Sequence, residues 1–240
     1  MPAGVPMSNA PGHLIHTLRL GTMDNLVHLI EDRATRHAAV VDPAWDADAI
    51  MDCVNRNGLT LTDVLLTHSH PDHINALEPL RARADLRVHL TAAEAEAWGH
   101  APDDAILHHD ADIFHLGATP IRVLHTPGHT PGGACYHVGD DLITGDTLFV
   151  YGCGRCDLPG GDPRALYASL QRLKDTLPPR TLIHPGHDYG VEPSTTLEQQ
   201  IRGNPFLQFE DPEAFVHYRM EVHDRVRSGP YGPEPAPAAG

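Results

Sequence analysis

The chain is 240 residues long and 41% apolar, with 32 acidic and 17 basic side chains and a formal net charge of −15. That length suits one full hydrophobic core, and the acidic balance argues against non-specific nucleic-acid binding and against anionic membrane surfaces, both of which need a positive footprint. Four cysteines are too few for a disulfide framework, no apolar run approaches the ~18 residues of a membrane helix, and no stretch has a signal peptide's apolar region, so a cytoplasmic protein with reduced thiols is expected.

Residues 1–12 are rich in Pro, Gly and Ala and read as a flexible leader. Polar and apolar residues alternate over 13–20, and after a turn at 21–25 two further strands follow at 26–30 and 38–41, predicting an antiparallel sheet. Ile50, Cys53 and Val54 lie at helical spacing before Gly58. A short buried strand at 63–66 then delivers Thr67-His68-Ser69-His70-Pro71-Asp72-His73. Residues 74–83 read as a helix, 86–90 as a strand, and Thr91 with Glu94 has capping-box spacing for another helix. The polar stretch 99–112, with His100, His108, His109 and Asp110, lacks a strand to fix it and is read as an exposed loop.

A strand at 121–124 leads into His125-Thr126-Pro127-Gly128-His129-Thr130, and strands at 134–138 and 142–144 deliver Gly145-Asp146-Thr147. A Gly/Cys-rich loop at 151–161 precedes a helix at 163–177. The last clear strand, 181–183, ends in His184-Pro185-Gly186-His187-Asp188-Tyr189. A helix over 211–227 presents Phe215, Tyr218, Val222 and Val226 on one face, and the Pro/Gly/Ala-rich residues 228–240 read as disordered. The domain division expected is therefore a leader at 1–12, a catalytic domain at 13–205, and a short helix with a tail at 206–240.

Three imidazoles and a carboxylate within 68–73 form a ligand set suited to Zn²⁺, Fe, Mn or Co, emerging where a strand ends, as sites do in layered α/β folds. Two adjacent groups of ligands there would serve two ions. Cys153-Gly154-Arg155-Cys156 has C-x-x-C spacing, but one pair makes no tetrahedral zinc site. A Gly-rich loop fixed by Arg155 is the expectation.

Four strand ends thus supply H-x-H-x-D-H, His129, Asp146 and His187, and this pattern resembles the metallo-β-lactamase superfamily over about residues 13–205. It looks most like glyoxalase II and its thioesterase relatives, through the motifs at 67–73, 125–130, 144–149, 152–155 and 184–189. The resemblance implies an α/β (α+β) fold, a four-layer αββα sandwich with two zinc ions at one edge, iron or manganese being the alternatives. His68, His70 and His129 would hold one ion and Asp72, His73 and His187 the other, with Asp146 bridging; His125 and His184 fall outside the ligand positions. It also implies a hydrolase in which a metal-bridging hydroxide attacks a carbonyl, with Asp72 and Asp146 catalytic and Arg155 and Tyr189 touching substrate.

The substrate expected is a small-molecule or carrier-bound acyl thioester, since a thiolate with a parent pKa of about 8.5 leaves without a proton. Two departures from glyoxalase II stand out: Ala76 replaces a Gly after the first motif, and the chain lacks the larger basic helical domain that binds glutathione. Acyl groups on coenzyme A or a carrier protein fit that shorter end. The rival is persulfide dioxygenase, a relative sharing the Gly-Cys-Gly-Arg loop and the His-Asp-Tyr ending, whose single iron would correspond to His68 or His70, His129 and Asp146. Lactonase and β-lactamase are further alternatives on the same fold.

Overall fold

A computed structural model describes residues 12–235. The leader, up to residue 11, and residues 236–240 of the tail lie outside the described residues.

Strands β1 (His13–Leu20), β2 (Asn25–Asp32) and β3 (His37–Val41) form the expected meander. Helix α1 (Ala47–Arg56) starts where Asp46 accepts a hydrogen bond from the Ala49 amide, and its buried face is Ala47, Ile50, Cys53 and Val54. Strand β4 (Thr60–Leu65), helices α2 (Pro71–Ile74) and α3 (Leu77–Arg81), strand β5 (Arg87–Thr91), helix α4 (Ala92–Trp98) and strand β6 (Ile106–His108) complete the first half. The second half contains β7 (Ile113–Leu116), β8 (Thr119–His125), β9 (Ala134–Val138), β10 (Asp141–Gly145), the small hairpin β11 (Leu148–Phe149) with β12 (Gly152–Cys153), helix α5 (Pro163–Thr176), β13 (Leu182–Pro185) and β14 (Thr195–Thr196). Helices α6 (Leu197–Gly203), α7 (Pro212–His217) and α8 (His223–Val226) close the described chain.

Each half builds one six-stranded sheet, ordered β1-β2-β3-β4-β5-β6 and β14-β13-β10-β9-β8-β7. Period-two alternation sends successive side chains to opposite faces. Ile30, Ala39, Val41 and Leu65 meet Ile121, Val123, Tyr136 and Ile143 of the other sheet in an inner core. Their neighbours Leu29, Val40 and Val64 face outward onto α1 and α3 through Ile50, Leu77 and Leu80. On the other outer face Leu142 and Ile183 pack against Leu166, Leu170 and Leu173 of α5 and against Leu197, Phe206 and Phe215. Three apolar layers between four layers of structure are the αββα sandwich, and each fully buried Leu, Ile or Phe contributes about 1.5–3 kcal/mol. No helix of the described residues is long and apolar enough to cross a membrane.

Four expectations are corrected. Residues 74–83 are not one helix: Asn75 Oδ1 accepts from the Trp45 amide and the Ala76 amide donates to Pro43, so the chain breaks between α2 and α3. The 99–112 stretch is not wholly an exposed loop, because 106–108 pairs in parallel with β5 and buries His108. The face foreseen over 211–227 is rotated by a π-helical turn at Tyr218–Val222, which turns Arg219 and His223 inward and leaves Val226 63% exposed. Finally, residues 229–235 dock: Tyr231 is buried, its amide donates to Tyr189 O, and the Glu234 amide donates to Gly203 O.

Candidate metal centre

The ends of β4, β8, β10 and β13 lie together at one edge of the sandwich and bring His68, His70, Asp72, His73, His129, Asp146 and His187 into contact. Close backbone approach makes this possible. A Cβ on Gly154 would lie 2.0 Å from Asp146 O and 3.0 Å from His129 Nδ1, so that loop passes the centre only as glycine.

Hydrogen bonding on the far side of four of the five rings, His68, His73, His129 and His187, fixes which of their nitrogens remain bare. His129 Nδ1–H donates to Arg155 O at 2.7 Å, and His187 Nδ1–H donates to Met23 O at 2.8 Å. His73 Nδ1–H donates to Asp42 Oδ2 at 3.0 Å. Thr67 spends its hydroxyl proton on Asp42 Oδ2, so at 3.0 Å it accepts from His68 Nδ1–H. In neutral rings the opposite nitrogens then carry lone pairs. Yet His73 Nε2 lies 3.1 Å from His187 Nε2, His129 Nε2 lies 2.9 Å from His70 Nδ1, and His68 Nε2 is buried without a partner. Lone pairs that face each other at such distances repel unless a cation or proton sits between them.

The carboxylates complete the arrangement. Asp72 Oδ2 lies 3.4 Å from the Nε2 atoms of both His73 and His187. Asp146 spans the two groups, with Oδ1 3.4 Å from His73 Nε2, and Oδ2 3.4 Å from His187 Nε2 and 3.6 Å from His129 Nε2; its Oδ1 is buried without a hydrogen-bond partner. The donor atoms of His68, His70 and His129 fall within 4.8 Å of one another, as do those of Asp72, His73 and His187. Nitrogen and oxygen donors so grouped, with unmet lone pairs, fit divalent transition metals. Asp42, His68 and His73 form a third such group, but the Asp42 carboxylate is already engaged by the Thr67 amide and hydroxyl and by His73.

Electrostatics agree with that fit. Burial, then the neighbouring His73, pushes the His68 imidazole well below its usual value, and burial lowers His70. Burial alone would lower His73 too, but Asp146, Asp42 and Asp72 outweigh it and raise it to about 9. Burial works against ionising Asp146, yet the His187 and His73 imidazoles hold it well below the carboxylate range. Protons and metal ions therefore compete for the same lone pairs.

Two buried carboxylates, Asp42 and Glu94, support these groups, and the sequence reading gave Glu94 only as a helix-cap partner. Glu94 Oε1 accepts from the Ser69 amide and hydroxyl at 2.7 and 2.6 Å, while Oε2 accepts from Thr130 Oγ1 and the Gly132 amide at 2.7 and 3.1 Å. One side chain thus clamps the His68–His70 loop to the His129 loop. Its capping-box spacing is half fulfilled: Thr91 Oγ1 accepts from the Glu94 amide at 3.1 Å, but the glutamate reaches for the loops instead. Asp42 orients His73 and, through Thr67, His68. Asn25 adds a third support, donating to Asp72 O and Oδ2 at 3.0 and 3.1 Å while accepting from Trp45 Nε1 at 2.7 Å.

The remaining candidates fall elsewhere. His125 Nε2 meets Pro131 O, and His184 Nε2 meets Asp141 Oδ1 at 2.7 Å. Burial raises the Cys153 thiol and pushes Cys156 up to about 12, leaving neither as a thiolate near neutrality. Arg155 pairs twice with Asp157 at 2.7 and 2.6 Å. Tyr189 stacks on His187 with centroids 4.6 Å apart. Beside the metal groups opens a cavity of about 460 Å³, whose lining also includes Phe149, Tyr189, Arg219, Arg227 and Tyr231.

Comparison with known proteins places these features in context. A family model described as the metallo-beta-lactamase superfamily matches residues 21–187. A probable polyketide biosynthesis zinc-dependent hydrolase, BaeB of Bacillus velezensis, is 37% identical over 84% of this chain and 89% of its own length. A hydroxyacylglutathione hydrolase of Cereibacter sphaeroides is 39% identical over 78% of this chain and 71% of its own. Among solved structures, ETHE1 from Myxococcus xanthus superposes with a TM-score of 0.79 at 34% identity, covering 90% of this chain and 93% of that one.

Proposed function

The chain belongs to the metallo-β-lactamase superfamily and is a metal-dependent hydrolase, and from that premise we propose that it hydrolyses an acyl thioester at a dinuclear centre. His68, His70 and His129 would hold one ion and Asp72, His73 and His187 the second, with Asp146 placed to serve both groups. Zinc is the metal proposed, as the name of the Bacillus velezensis relative suggests. Two such ions, when bound, would acidify water and polarise a carbonyl.

The chain's own groups do the rest. Asp72, which lines the cavity and whose Oδ2 Asn25 steadies at 3.1 Å, would take the proton of the attacking water. Asp42 and Glu94 keep the imidazoles aimed. Apart from Asp72 once it carries that proton, the described cavity lining offers no ready acid for an amine: burial raises the Tyr189 phenol, and Arg155 is tied to Asp157. A thiolate needs no such acid, which favours a thioester over a lactam.

The observation carrying this reading is the shared Asp146, whose two oxygens face imidazoles of both groups. A second reading, mononuclear-iron persulfide dioxygenase using His68 or His70, His129 and Asp146, draws on the match to ETHE1 over 90% of the chain. Elemental analysis of metal-repleted protein, paired with a panel of thioesters, a lactone and a β-lactam, decides between them. Two metal equivalents with thioester turnover are expected; one iron with oxygen uptake on glutathione persulfide overturns the dinuclear thioesterase reading.

A further inference from the structure

The two ligand groups are supported from different parts of the chain. Around His68, His70 and His129 the supports are the Glu94 carboxylate and Arg155 O, while Asp42 serves both groups, through His73 and, by way of Thr67, His68. The rest of the support for Asp72 and His187 comes from the turn between β1 and β2. Met23 O accepts from His187 Nδ1–H at 2.8 Å. The Asp188 amide donates to Asp24 O and the Leu26 amide to Gly186 O, both at 2.8 Å, so the turn lies along the His187 segment as a short antiparallel bridge. Asn25, buried at 1% exposure, donates to Asp72 O at 3.0 Å and to Asp72 Oδ2 at 3.1 Å. Among the described residues, none of these bonds reaches His68, His70 or His129.

An amide side chain can face either way, and here Trp45 decides. The indole Nε1–H only donates, and at 2.7 Å from Asn25 Oδ1 it marks that atom as the carbonyl oxygen and turns the NH₂ towards Asp72. Reversed, the amide would set its oxygen against the Asp72 carboxylate, acceptor against acceptor. Asp72 Oδ2 is also the atom that lies 3.4 Å from the Nε2 atoms of His73 and His187, so the amide steadies the oxygen that faces those two rings. Trp45 is itself held in place. Its backbone stands in the left-handed region at φ +62°, with its amide donating to Asn75 Oδ1, and its ring lies so close to Gly21 that a Cβ there would come within 2.3 Å of Cδ1. Strain of that kind persists only where the surroundings determine it. The residue is 40% exposed, so burial of apolar surface accounts for little of this placement, and the hydrogen bond to Asn25 accounts for more.

We propose that Asn25 and Trp45 set whether the chain holds a second ion: they are positioning residues for the group Asp72, His73 and His187 and leave the group His68, His70 and His129 unaffected. The same ligand residues then give a one-ion or a two-ion centre according to side chains that touch neither ion. Because it concerns the second ion, the inference rests on the dinuclear reading above, but it is measured by binding and needs no turnover.

The test titrates Zn²⁺ into metal-free, full-length wild type, Asn25→Ala and Trp45→Phe against a chromophoric chelator, with thermal unfolding recorded for each. Wild type is expected to take two ions. Asn25→Ala should weaken the second binding step about tenfold or more and the first by less than about twofold. Trp45→Phe, which keeps a ring over Gly21 but removes the indole N–H, should weaken the second step in the same direction by a smaller factor, and it decides the matter alone if Asn25→Ala does not fold. A merely structural role predicts a lower unfolding temperature with both steps unchanged or both weakened alike, and either pattern overturns the proposal. A wild type that takes a single ion overturns both this inference and the dinuclear reading. Two ions with the selective loss in the variants, but no thioester turnover, leave the inference standing and remove the thioesterase reading.

Discussion

Two of the buried histidine clusters among the described residues differ in a way that composition does not reveal. At the metal centre, the ring hydrogens of His68, His73, His129 and His187 donate outward, the bare nitrogens of His73 and His187 confront each other, and that of His129 faces His70 Nδ1. In the other cluster, His89 Nε2–H donates to Asp63 Oδ1 at 2.9 Å, leaving His89 Nδ1 as an acceptor for His108 Nε2–H at 2.9 Å. Phe114 stacks on both rings, with centroids 4.4 and 4.9 Å away, and Thr62 and Arg87 supply further donors to Asp63. Donors meet acceptors throughout the second cluster, so it is closed and structural. The first is left open, and its direction of lone pairs marks it as a ligand site more surely than its number of imidazoles.

Breaking each cluster should therefore have different consequences. The largest effect is expected from Asp146→Ala, which removes the oxygens facing both imidazole groups: thioester kcat/KM should fall ~10³-fold and metal content by half or more, with cooperative thermal unfolding retained. Turnover that survives this change would remove Asp146 from the centre. Next, Asp42→Asn should weaken metal binding roughly 10- to 100-fold through loss of the acceptor that orients His73, read by competition with a chromophoric chelator.

Smaller still, and confined to the closed cluster, Asp63→Asn should cost about 2 kcal/mol of stability without changing metal stoichiometry. Burial would raise the Asp63 carboxyl, but hydrogen bonds from His89, Thr62 and Arg87 hold it below its usual value. A depressed folded-state pKa gives stability that is present above the unfolded value near 3.9 and lost as pH falls through the folded one. The wild-type advantage over Asp63→Asn in urea midpoints should thus be full at pH 7 and shrink below about pH 4. An advantage that grows on acidification would show that Asp63 is not ionised in the fold.

The ligand residues were legible because a buried strand preceding close-spaced His and Asp is a local pattern, repeated at three further strand ends. Their supports were not, for a physical reason. Glu94 and Asp42 each have an adequate local explanation, as a helix-cap partner and a sheet terminator, while the groups they bind are 25 or more residues away. His108 looked exposed because its neighbours are polar, yet pairing of β6 with β5 buries it. The C-terminal wall was hidden twice over. A π-helical turn shifted the face from Val226 to Arg219 and His223, and a Pro/Gly-rich composition concealed the docking of Tyr231.

The centre also has a polymer-physics consequence. Ions held between His70 and His129, and between His73 and His187, would join positions 59 and 114 residues apart in the chain. By the chain-entropy argument used for disulfides, closing loops of that size removes about 4–5 kcal/mol of unfolded-chain freedom apiece. A protein with four reduced cysteines and no disulfide would so acquire reversible cross-links that sew one sheet to the other at their shared edge. Metal supply would then govern how long the chain stays folded as well as how fast it works.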